Sequence, residues 1–203
     1  MPVMDVPSPP LADRVASDLD VLFVGINPSL FSAAVGHHFA SKGNPFWRLL
    51  HAAGLTRELL DPADDVTLPA HGLGITNVCP RPTRSAAELG REELREGARA
   101  LAEKVAALRP RIVALVGVSL YPLVFPGGRE PGPGAKRARL AGARVFVLPN
   151  PSGLNASYPG FQHKLVWFRR LARLAGRVPA ERDGSGGMRP AEHGNPASRP
   201  RRS

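Results

Sequence analysis

The stretch Val21-Leu22-Phe23-Val24-Gly25-Ile26-Asn27-Pro28-Ser29 constrains the fold more than any other. Four consecutive apolar side chains, three of them β-branched or aromatic, read as a strand buried on both faces, because a half-exposed strand would alternate. Gly25 permits a tight turn or a close backbone approach, and Pro28 cannot continue a central strand. Asn27 is thereby delivered to the carboxyl end of a buried strand, where open α/β sheets bind their ligands. An Asn at such a place is also an ordinary turn residue bonding its own backbone, so this stretch alone leaves both readings open.

Further strands follow at Leu73–Val78, Ile112–Val116 and Val145–Leu148. Asn44 and Pro45 open a helix as N-cap and first residue, with Phe46, Leu49, Leu50 and Ala53 on one face. Residues 91–108 form the clearest helix, because Leu94, Ala98, Leu101, Val105 and Leu108 fall on one stripe. A short helix is expected from Gly117 to Phe125 and a last one over about 161–175. Residues 29–43 read as a long functional loop, 55–70 as a helical turn with an acidic loop, and 126–139, rich in Gly, Pro and basic residues, as a loop. Strands alternating with helices predict a single three-layer α/β/α domain with a mainly parallel central sheet. The domain spans 19–176, between a Pro-rich, flexible N-terminal arm (1–18) and a disordered basic tail (177–203).

The chain carries 27 Lys+Arg against 17 Asp+Glu, a net charge of +10, which calls for a polyanionic partner. Six Arg against three acids lie from Gly176 onward, so most of the surplus sits on the domain itself. With one cysteine, Cys79, neither a disulfide framework nor a cysteine-ligated zinc or iron–sulfur site can form within the chain. No stretch approaches the roughly 18 apolar residues of a membrane span. Met1–Asp20 holds four Asp and lacks the layout of a signal peptide, so an intracellular, cytoplasmic location is expected.

Three segments leave strand ends together: Asn27-Pro28, Pro80-Arg81-Pro82-Thr83 and Asn150-Pro151-Ser152-Gly153. In a parallel sheet these ends share one edge and can meet, although Pro after a strand is common and each could be an ordinary loop. Gly36-His37-His38-Phe39 offers two imidazoles and an aromatic ring. Adjacent side chains diverge and the other His show no ligand spacing, so stacking on a planar ligand beside a hydrogen-bonding His fits better than a metal. Walker A, Gly-x-Gly-x-x-Gly and nucleophile-elbow patterns are all lacking.

Gly25-Ile26-Asn27-Pro28, Gly36-His37-His38-Phe39, Gly43-Asn44-Pro45-Phe46-Trp47 and Asn150-Pro151-Ser152-Gly153-Leu154, in that order and spacing, resemble the mismatch-specific uracil/thymine DNA glycosylases of the uracil-DNA glycosylase superfamily. Gly74–Asn77, Arg81-Pro82-Thr83 and Arg109–Ile112 extend the likeness over roughly residues 20–175. The resemblance implies that Asn27 positions the attacking water and that His38 assists leaving of the base. It implies that Phe39 stacks on the flipped base, and that backbone near Ile26 and Phe39 reads its edge. Ser32, Asn150 and Ser152 would also contact substrate. Gly153, Leu154 and Asn155 would enter the duplex with Leu154 as wedge, and Arg81 and Lys42 would touch DNA. The implied activity is excision of uracil opposite guanine by a monofunctional enzyme, with thymine and other modified pyrimidines as further candidates. No cofactor is implied; the partner is duplex DNA with G:U or related mismatches, and a monomer is expected.

Glycosidic cleavage needs an extruded base, a stacking surface and hydrogen bonds to its pairing edge. An amide is no true base, so Asn27 can only orient water, and slow chemistry on a good leaving group is expected. The chain departs from the family pattern at Ser29 (usually Gly), Pro80 (often an acid), Val118 (frequently Lys) and Ala156 (commonly Arg). Two alternatives therefore stand beside the enzyme. One is a lesion-recognition DNA-binding protein of the same fold with little turnover. The other is a small-molecule α/β protein, against which the wedge-like Pro149–Asn155 and the basic surplus argue.

Overall fold

In the computed structural model, which describes residues 10–152 and 157–177, the first apolar run becomes the central strand of a mainly parallel sheet. Strand β1 (Val21–Gly25) is flanked by β2 (Leu73–Asn77) and β3 (Ile112–Val116), both parallel to it. Beyond β3 lie β5 (Ala143–Leu148), also parallel, and the antiparallel edge strand β4 (Gly134–Leu140). The order β2-β1-β3-β5-β4 makes the chain step to one side of β1 and then to the other. The crevice between the ends of β1 and β3 is the resulting switch point.

Helices cover both faces, which explains why the parallel strands read as unbroken apolar runs. Val21, Phe23, Ile75 and Phe146 pack under α2 (Phe46–Ala52) and α5 (Gly160–Leu174), with Phe46 and Phe168 fully buried. Leu22, Val24, Leu115 and Val147 pack under α3 (Arg91–Leu108) and α4 (Leu120–Val124) through Leu101, Val105, Leu120 and Tyr121. The α3 bounds match the periodic stripe. The strands at 73–78 and 145–148 and the last helix at 161–175 match to within two residues. No helix among the described residues is long and apolar enough to cross a membrane.

Four expectations are corrected. The loop expected over 29–43 contains α1 (Leu30–Val35), which Ser29 caps by accepting from the Ser32 amide at 3.1 Å and which ends at Gly36 with φ 76°. The acidic loop is a 3-10 helix, Pro62–His71. The Gly/Pro-rich segment 126–139 holds most of β4, which joins β5 through Ala141-Gly142, both at positive φ, as a two-residue hairpin turn requires. Residues 10–18, read as part of a flexible arm, lie against the domain: Leu11 is buried and Arg14 bridges Ile75 in antiparallel fashion. The rest of the arm (1–9), the wedge residues Gly153, Leu154 and Asn155, and the tail from 178 lie outside the described residues.

Candidate active site

The carboxyl ends of β1, β2, β3 and β5 open onto one cleft of about 520 Å³, within the usual size of a ligand site. Gly25, Ile26, Asn27 and Pro28 enter it from β1, Asn77 from β2, Val116 from β3, and Asn150 and Ser152 from beyond β5. Ser32, His38, Phe39, Ser41 and Lys42 supply another wall, Thr83 and Arg84 a third. The segment after β1 is held by the one after β2: Cys79 N–H donates to the Ile26 carbonyl at 2.8 Å and Thr83 N–H to the Pro28 carbonyl at 3.2 Å. The Ile26 carbonyl is thus engaged within the protein.

The Asn27 amide is fixed. Its Nδ2 donates to the Arg81 carbonyl at 3.0 Å and to Thr83 Oγ1 at 2.7 Å. Thr83 Oγ1 in turn donates to the Ser85 carbonyl at 2.8 Å, so its lone pair is what Asn27 meets. With both Nδ2 hydrogens committed, Oδ1 is the atom left to accept a hydrogen bond from a substrate or water. Gly25 leaves room for the Asn77 amide, because a Cβ there would sit 2.5 Å from Asn77 Oδ1.

His38 is almost fully buried, and its Nε2 lies 3.0 Å from the Ala12 carbonyl. A carbonyl can only accept, so the neutral ring carries its proton on Nε2 and leaves Nδ1 as an acceptor. Burial pushes the imidazole below the usual histidine range; Arg14 acts in the same direction, against the Ala12 carbonyl, Asp65 and Asp13. The loop is pinned from beneath by the fully buried Asp65, which accepts from His38 N–H at 2.9 Å, and by the His38 carbonyl, which accepts from Trp47 Nε1 at 3.2 Å. Phe39 adopts φ 52°, a left-handed conformation uncommon for a bulky residue. Its ring stacks on Phe46 at 3.9 Å and 20° while also lining the cleft. Ser32 Oγ accepts from Ala40 N–H at 3.3 Å, bracing the same loop.

Across the cleft, Asn150 Oδ1 accepts from Ser152 N–H at 2.9 Å, a local turn bond. The Ser152 carbonyl accepts from Lys164 Nζ at 3.1 Å, and Lys164 is a buried lysine whose pKa is depressed by burial. Lys42 is exposed at the rim. Arg81, expected to touch DNA, keeps a half-exposed side chain. Its guanidinium pairs in bidentate fashion with Glu93 at 2.9 and 2.8 Å, while its carbonyl orients Asn27. The arginine's hydrogen bonds hold the Glu93 carboxyl below the usual carboxylate range.

The structure therefore brings Asn27, Ile26, Ser32, His38, Phe39, Lys42, Asn150 and Ser152 to one cleft. Sequence reasoning missed Asn77, Asp65 and Lys164. Asn77 and Thr83 lie inside quoted motifs and were within reach, whereas a single acid in an acidic segment and a lysine on an amphipathic helix carry no signal. Among the described residues no carboxylate lines the cleft, and no three His, Cys, Asp or Glu side chains converge as metal ligands.

The fold is similar to the solution NMR structure of a candidate uracil DNA glycosylase from Methanosarcina acetivorans. The TM-score is 0.55 over 81% of this chain and 98% of that one, at 20% sequence identity, a likeness of fold. The sequence profile described as the uracil DNA glycosylase superfamily matches residues 12–172, which takes in the five strands of the sheet and every described lining residue of the cleft but Leu11, and the chain belongs to that superfamily.

Proposed function

We propose that the protein is a monofunctional DNA glycosylase that flips uracil out of duplex DNA opposite guanine and hydrolyses its N-glycosidic bond. The observation that carries the reading is the Asn27 amide, locked by two Nδ2 bonds so that Oδ1 can accept only from what enters the cleft. A water donating to Oδ1 attacks the sugar carbon as the bond to the base breaks. The bonding electrons leave with the base, and the water's second proton passes to solvent. Phe39, backed by Phe46, offers a stacking face to the flipped base. Lys42 and Arg84 in the wall, with no carboxylate among its described residues, favour the negative charge that develops on the departing base. His38, neutral at pH 7, takes part as an acceptor at Nδ1 rather than as an acid. Leu154 is the proposed wedge, with Gly153 and Asn155 against the widowed guanine. The protein acts inside the cell as a monomer.

The lining of the cleft favours a second reading, a lesion-binding protein that barely turns over, since among the described residues no carboxylate stands there to take the attacking water's proton. Single-turnover base release decides between them on duplexes holding G:U, G:T or A:U and on single-stranded uracil DNA. The enzyme is expected to release uracil fastest from G:U. Asn27→Ala should abolish release yet bind the G:U duplex nearly as well as wild type, because the amide carries no charge to phosphate. Full activity in Asn27→Ala would remove the assignment, and tight binding without release by wild type would establish the second reading.

A further inference from the structure

Four consecutive residues ahead of β1 each reach a different part of the cleft's support. Leu11 lines the cleft itself and the Ala12 carbonyl accepts from His38 Nε2. Asp13 accepts from Thr76 Oγ1 at 2.7 Å and pairs with Lys104 Nζ at 2.5 Å. Arg14 is the anchor: Nε meets Asp65 Oδ1 at 2.7 Å, Nη2 the Gly36 carbonyl at 3.0 Å, and its backbone exchanges bonds of 2.9 and 2.8 Å with Ile75. The fit is close, since a Cβ on Gly74 would come 2.8 Å from the Arg14 carbonyl oxygen and 2.5 Å from Leu19 Cδ1.

Asp65 joins this strap to the loop bearing His38. It is fully buried, and it accepts from Arg14 Nε through Oδ1 and from His38 N–H through Oδ2, with His37 Nδ1 3.3 Å from Oδ1. The groups facing His38 are thus Arg14 and Asp13 from the strap, Asp65 from the 3-10 helix and His37 beside it.

We propose that Leu11–Arg14 is a positioning element of the active site, which holds His38 as the Nε2–H tautomer through the Ala12 carbonyl and is itself held there by the Arg14–Asp65 pair. Its catalytic consequence rests on the proposed glycosylase reading; the structural part does not. Arg14 is the point at which to break it, because the carbonyl cannot be removed by substitution. Losing Arg14 frees the strap from both Asp65 and the Gly36 carbonyl, and Ala12 no longer presses on Nε2.

The test uses the full chain as wild type, Arg14→Gln and the milder Arg14→Lys, each also in a His38→Gln background. Nitrogen-resolved NMR of the imidazole, assigned through His38→Gln, should show wild-type Nε2 bearing a slowly exchanging proton and Nδ1 bare. Both Arg14 variants should lose that slow exchange. In single-turnover base release, Arg14→Gln should cost tenfold or more with His38 present and little in the His38→Gln background, the coupling expected of groups acting through one another. Unchanged nitrogen signals would overturn the inference whatever the activity. So would equal losses in both backgrounds, which mark a merely structural strap. If wild type releases no base while the NMR shifts as expected, the glycosylase reading fails and the positioning of His38 stands.

Discussion

At the scale of single residues, Phe39 combines three features that together point to use: left-handed backbone, one ring face covered by Phe46, and a place in the cleft wall. Stacking of a base on an aromatic ring is worth about 1–3 kcal/mol by alanine substitution, so Phe39→Ala should slow base release roughly five- to hundredfold at limiting enzyme. Phe39→Gly should match it in rate yet be no less stable, because glycine adopts positive φ without steric cost. A rate unaffected in both would make Phe39 a core residue. His38 gives a second prediction. Its folded pKa is depressed by burial, so the unfolded chain binds the extra proton first. Stability from burying the neutral ring is complete above the unfolded value of about 6.5 and is lost as pH falls through the lower folded value. Melting temperatures should therefore decline below about pH 6.5 in wild type and less steeply in His38→Gln. Asn27 and Phe39 were legible in the sequence because a strand end and a motif mark them. The state of His38 was not, since its neutrality comes from burial and its tautomer from a carbonyl 26 residues away.

At the scale of elements, what could be read depended on how far each element is its own cause. The parallel strands and α3 announce themselves by continuous or periodic apolar residues. Edge strand β4 does not, because one face is solvent and its basic side chains, which guard an edge against pairing, look like a loop. Helix α1 is six residues long and leans on its Ser29 cap and Gly36 stop more than on any apolar stripe. Helix α5 packs its apolar stripe into the core, yet its most consequential residue is polar. Lys164 is 2% exposed and spends a donor on the Ser152 carbonyl, tying the helix to the loop that leads to the proposed wedge. A buried lysine that lost its charge penalty would stabilise the helix packing. Lys164→Met should therefore melt no lower than wild type, while base release from duplex falls more than release from single strands, because the loop loses its tie. Equal losses on both substrates would mean that Lys164 serves the cleft generally and not the wedge.

At the scale of the whole molecule, the last described residue closes the domain rather than beginning a tail. Arg177 donates to the Leu55 carbonyl at 2.5 Å, to the His71 carbonyl and to Asp20 Oδ2 at 3.0 Å, and so joins α5's end to β1's start and to the turn before β2. The boundary at 176 thus falls one residue short. Truncation after Arg177 should leave the melting temperature unchanged, whereas Arg177→Ala removes bonds from a charged donor worth about 1.5–3 kcal/mol. That corresponds to a drop of roughly 3–12 °C for a domain of this size. The pH dependence identifies the share owed to Asp20. Burial raises its carboxyl, but hydrogen bonds from Arg177 and Arg111 outweigh that and hold it below the usual carboxylate range. Because the folded pKa is depressed, this stabilisation is present above the unfolded value of about 3.9 and is lost as pH falls through the folded one. The gap between wild type and Arg177→Ala should stay constant from neutral pH down to about 4 and narrow below it. It should not vanish, since the bonds to Leu55 and His71 do not titrate. A gap independent of pH down to acid unfolding would assign the whole effect to the two carbonyls and none to the ion pair.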